Sequence, residues 1–150
     1  MTEDVLIKDE CGVIAHLQQL ALKDYSREHC AMVIASQTGE EYRLCSYCMI
    51  QDVGGSTNNQ FSVIPRKVSY ALLSVCNKRK MIPMILHTHI LGYENSKPLC
   101  FSPQDIEFAD KFITMARQME NIPGCGFVVM NGEDIKISVQ HWGERTVLQK

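Results

Sequence analysis

Met81-Ile-Pro-Met-Ile-Leu86 is an unbroken apolar run, and it ends directly on His87-Thr88-His89. A run without polar alternation reads as a buried strand, so the chain around it must supply a sheet and something to cover it. Before it, residues 66–80 place Val68, Ala71, Leu72, Val75 and Cys76 on one face. They end in Lys78, Arg79 and Lys80, cations that the carboxyl end of a helix favours. After it come a polar loop, 90–101, and a third helix. That helix starts at Ser102-Pro103-Gln104-Asp105, turns Ile106, Phe108, Ala109, Phe112, Ile113 and Ala116 inward, and stops near Pro123-Gly124.

The first half reads in the same terms. Val13, Ile14, Leu17, Leu20 and Ala21 recur at helical spacing between Cys11 and Tyr25. Residues 30–35 form a short apolar strand, 37–40 have the composition of a hairpin turn, and 42–50 return as its partner. A polar, glycine-bearing loop over 54–59 leads to a third strand over 60–64, and the chain closes on a hairpin of 126–130 and 135–140 about Asn131-Gly132. The order α, β-hairpin, β, α, β, α, β-hairpin predicts a mixed α+β or three-layer α/β fold on a single central sheet flanked by helices. With 150 residues and 45% hydrophobic content, the material suffices for one core, and residues 1–150 are expected to form a single domain.

Fifteen Lys and Arg against seventeen Asp and Glu leave a net charge of −2 without a basic block, which favours neither nucleic acid nor an anionic membrane surface. No stretch approaches the ~20 apolar residues that span a bilayer, and the amino terminus is too acidic for a secretion signal. A cytoplasmic location is the expectation. Seven cysteines, an odd number, fit reduced thiols better than a disulfide framework.

On a strand, residues two apart share a face, so His87 and His89 can offer both rings to one point while Thr88 turns away. Neutral imidazoles suit zinc, and a catalytic zinc site takes three protein ligands and leaves one position for water. Asp105, at the start of the next helix, is the candidate third ligand. Each piece has a blander reading: Ser102-Pro-Gln-Asp105 is also a capping box with proline at the first helical position, and a lone His-x-His is common in cores and on surfaces. Together they are more specific.

With a Glu upstream, at Arg27-Glu28-His29-Cys30, these motifs resemble the JAMM metalloproteases, the MPN-domain family, whose pattern is a distant Glu, then His-x-His, then Ser-x-x-Asp. The likeness covers nearly the whole chain in element order. It implies a cytidine-deaminase-like fold, Zn(2+) held by His87, His89 and Asp105, Glu28 as general base and then acid, and Ser102 helping to hold the oxyanion. The chemistry asks for the same roles, since metal-assisted hydrolysis needs a carboxylate to move the proton and a donor for the oxyanion. Two positions depart from the family pattern: Ile90 stands where a proline usually follows the second His, and the spacer 90–101 is longer than usual.

The implied activity is isopeptidase or peptidase cleavage that removes or trims a ubiquitin-like modifier. Its partners would be a ubiquitin-like protein or its conjugates, with E1-like and E2-like proteins in a bacterial antiphage conjugation system. Two alternatives stand beside it: a metal-free MPN scaffold, and a JAMM peptidase acting on other substrates. Cys45-Ser-Tyr-Cys48 has zinc-knuckle spacing without a second pair, Cys100 reads as a bystander in the loop, and His16, His29 and His141 read as structural or exposed. A zinc deaminase would need His-x-Glu and Pro-Cys-x-x-Cys, which this chain lacks.

Overall fold

A computed structural model describes residues 6–24, 27–53, 56–57, 62–89 and 99–142. The elements are β1 (Leu6–Lys8), α1 (Val13–Lys23), β2 (Cys30–Thr38), β3 (Glu41–Met49), a 3-10 turn (Ile50–Val53), β4 (Ser56–Thr57) and β5 (Ser62–Val63). They continue with α2 (Arg66–Arg79), β6 (Ile82–Thr88), α3 (Pro103–Arg117), β7 (Gly124–Met130) and β8 (Ile135–His141). Six strands make one mixed sheet in the order β1-β3-β2-β6-β7-β8, while β4 and β5 pair with each other apart from it. The β1–β3 and β6–β7 pairs are parallel and the others antiparallel.

Helices cover both faces of this sheet, so the overall class is the expected mixture. Met84 and Leu86 of β6 pack with Val13 and Leu17 of α1 on one face. Ile85 packs on the other with Leu72, Leu73 and Cys76 of α2 and Phe112 and Ala116 of α3. A strand buried on both sides has no reason to alternate, which accounts for the continuous apolar run. Pro83 is tolerated in this central strand because it precedes Met84, where the β6–β7 pairing begins, so its missing N–H takes no bond from that ladder.

A bulge sets which side chains of β3 face which layer. Leu44 pairs with Ala35 and Ser46 with Ile34, leaving Cys45 as the extra residue. Before the bulge Tyr42 and Leu44 face the α1 layer. After it the parity switches, so that Tyr47 and Met49 face that layer and Cys48 packs against the other core. The sheet also curls. The Tyr42 hydroxyl on β3 hydrogen-bonds His141 Nε2 on β8, across the three intervening strands. At the start of β7 a Cβ on Gly124 would stand 2.2 Å from the Gln140 carbonyl oxygen, so only glycine fits there.

Several boundaries differ from those read in the sequence. β1 was not expected, because three residues are too few to show a period. The strand expected over 60–64 is described only as Ser62–Val63, paired with Ser56–Thr57 from the expected loop, so this segment stands outside the single central sheet instead of joining it. α2 closes on Lys80 in a left-handed conformation, with Ala71 and Val75 exposed and Leu73 buried instead. α3 ends at Arg117 rather than near Pro123, and Ile106 is 53% exposed; Phe112 and Ala116 alone are fully buried. Asn131 closes a four-residue turn by accepting from the backbone N–H groups of Glu133 and Asp134, where the Asn-Gly pair predicts a tighter one. None of the seven cysteines forms a disulfide, and burial pushes the Cys76 and Cys125 thiols up to about 12. Among the described residues no helix is long and apolar enough to cross a membrane.

Candidate metal centre

The centre forms where the amino-terminal end of β2 meets the carboxyl end of β6. These strands run antiparallel with Cys30 opposite His87, and continuing that register places Glu28 opposite His89. Strand parity then turns Glu28, His87 and His89 to the α2–α3 face, the side of Cys30 and Ile85. The two imidazole centroids lie 5.1 Å apart. Thr88 points the other way, as its parity demands, and its hydroxyl oxygen accepts from the His29 N–H at 2.8 Å while its own N–H donates to the His29 carbonyl at 2.8 Å. The residue between the two histidines thus pins the chain next to Glu28.

Thr88 is fully buried, so Thr88→Val keeps the shape and strands a buried N–H. The expected result is a loss of about 1–3 kcal/mol, read as a lower urea midpoint at unchanged slope.

The opposite wall is the amino terminus of α3. The Ser102 hydroxyl oxygen accepts from the Asp105 N–H at 3.1 Å, and Asp105 Oδ2 accepts from the Ser102 N–H at 2.8 Å, a reciprocal capping box. The same carboxylate reaches the strand end, with Oδ1 3.1 Å from His87 Nε2 and Oδ2 3.2 Å from His89 Nε2. Capping and site assembly are therefore one arrangement, and the cap presets the carboxylate toward the rings. Burial works against the Asp105 carboxylate, but the His87 and His89 rings and the Ser102 N–H outweigh it and hold the group well below the usual carboxylate range.

The donor set fits a cation. Glu28, His87 and His89 each offer a ligand atom within 4.8 Å of the other two, all three are buried, and the group could hold a metal ion. His87 Nε2 is buried and makes no aligned hydrogen bond, despite its ion-pair distance from Asp105. A buried ring nitrogen of that kind is costly unless something else takes its lone pair or proton. Beside the centre lies a cavity of about 210 Å³, bounded by Glu28, His87, Gln104 and Asp105 on its polar side. Cys30, Ile64, Ile85, Phe101, Phe108 and Phe127 line the rest.

All five residues singled out in the sequence lie at this place: the two histidines, Glu28 and Asp105 together, and Ser102 under Asp105. Thr88 and the apolar wall were not foreseen; the wall residues carry no motif, and only strand register groups them. Residues 90–98 of the long spacer lie outside the described residues, and Cys100 is exposed. His29 is buried and its Nε2 sits 2.9 Å from the Asp24 carbonyl, His16 pairs with the Tyr47 hydroxyl at 2.8 Å, and His141 with Tyr42. Cys45 is exposed at the bulge while Cys48 packs against the core, so the two do not share a face.

No family model matches the chain, and no curated protein matches it. Among solved structures, the solution structure of protein DSY2949 from Desulfitobacterium hafniense, a structural genomics target, matches 90% of this chain and 82% of its own, with a TM-score of 0.49 and 11% identity.

Proposed function

We propose that the protein is a metal-dependent hydrolase of amide or isopeptide bonds, with His87, His89 and Asp105 holding zinc and Glu28 moving the proton. The observation that carries this reading is the convergence of two imidazoles and two carboxylates, those of Glu28 and Asp105, at one buried point. Two nitrogens and a carboxylate are a zinc-type donor set.

The chemistry that bound zinc supplies at such a site is polarisation of a carbonyl and a water of pKa about 7. Glu28 takes a proton from the attacking water and delivers it to the departing nitrogen. The water oxygen bonds to the carbonyl carbon, the C–N bond breaks, and a carboxylic acid and an amine leave. Ser102 already accepts from the Asp105 N–H, so its hydroxyl hydrogen can turn toward the developing oxyanion. The JAMM resemblance narrows the substrate to a ubiquitin-like protein or its conjugates in a bacterial conjugation system.

The test is elemental analysis of the purified protein together with cleavage of a ubiquitin-like precursor and of short peptides. About one zinc per chain and zinc-dependent cleavage are expected. Wild-type protein that takes up no zinc would favour the metal-free scaffold, and zinc uptake with cleavage of peptides alone would favour a peptidase of other substrates.

A further inference from the structure

We propose that the substrate bears an apolar side chain of leucine to phenylalanine size next to the amide that is cut, and that the cavity between the sheet and α3 receives it. This rests on the hydrolase reading and goes further by naming the substrate class.

Glu28, His87 and Asp105 belong both to the proposed centre and to the cavity boundary, so no wall separates the two. A side chain on the carbon next to the attacked carbonyl, or next to the departing nitrogen, is within reach of that space. Its volume, about 210 Å³, suits one side chain: an apolar cavity of ~150 Å³ takes up benzene, whereas a whole drug-sized ligand asks for ~300–1,000 Å³.

The apolar walls are also firm. Phe112 is 1% exposed and lies behind them, stacked on Phe108 at 5.7 Å and edge-on to Phe127 at 5.8 Å. Phe108 and Phe127 are therefore both packed on the same fully buried ring. A glycine beside the cut bond would leave this apolar volume without a partner, and a charged side chain would lose its water there.

The experiment uses the full chain loaded with zinc and two matched peptide series, in which the residue on the acyl side and then the one on the amine side of the cut amide is Gly, Ala, Leu, Phe or Asp. In one series kcat/KM for Leu or Phe is expected to exceed that for Gly by at least ~10-fold. Ile64 is half-buried at the cavity wall. Ile64→Trp fills the space and should shrink the Leu-to-Gly ratio, whereas Phe101→Ala should shift the optimum to larger side chains. Independently of turnover, fluorobenzene followed by fluorine NMR should bind the wild type saturably and Ile64→Trp weakly. Equal or faster cleavage of the Gly peptides overturns this inference and leaves the hydrolase reading standing, as does wild type that takes up no fluorobenzene. If no peptide or ubiquitin-like precursor is cut by zinc-loaded protein, both fall together.

Discussion

Glu28→Gln is expected to cut turnover at least ~100-fold while zinc content and melting temperature stay near those of the wild type. The reason lies in where the side chain sits. Glu28 is 7% exposed and next to both histidines, so its carboxylate is shielded from water yet close to where a water must be activated. Glutamine keeps the size and the hydrogen-bonding outline but cannot accept and return a proton at neutral pH. The comparison of zinc with rate separates two roles. Zinc retained and rate lost identifies a proton carrier; zinc lost in step with rate would make Glu28 a ligand, as its position among the donor atoms also permits.

Asp105→Asn should be as damaging to the metal as Glu28→Gln is to the rate. Changing a residue that merely supports a ligand typically lowers metal affinity ~10–100-fold, so removing the charge of a ligand itself should lower it by ~100-fold or more, measured by competition with a zinc chelator. The fold should survive, because Ser102 still caps the helix and the asparagine side-chain oxygen can still accept from the Ser102 N–H. Asp105→Ala removes both functions and should lose roughly a further 1 kcal/mol of stability. Unchanged zinc affinity in Asp105→Asn would remove this residue from the ligand set.

Much of the frame that holds these groups was legible from residues alone, wherever local periodicity and burial agree. α1 shows its buried stripe at Val13, Leu17 and Ala21, and β6 shows its burial on both faces as an unbroken apolar run. The His-Thr-His spacing carries two rings to one face on any extended strand, and Ser-Pro-Gln-Asp starts a helix wherever it is placed. Failures came where tertiary contacts override the local signal. Ile106 follows the apolar pattern of α3 but is left 53% exposed, while Phe108 and Ala109 pack partly buried against the core and Phe112 and Ala116 fully buried within it. The bulge at Cys45 reverses the parity of β3, and no residue type there announces it.

By itself, then, the amino-acid sequence determined the local pieces: helix stripes, the buried strand, the histidine pair and the capped start of α3. Each depends on interactions between residues close in the chain, which backbone geometry alone arranges. Only the tertiary structure decided that Glu28 lies against His89 and that the Asp105 carboxylate reaches both rings. It also decided that the aromatic residues of α3 and β7 enclose a cavity beside them. Those facts follow from antiparallel register and from packing between residues some twenty to a hundred positions apart, where the outcome is set by how whole faces exclude water together.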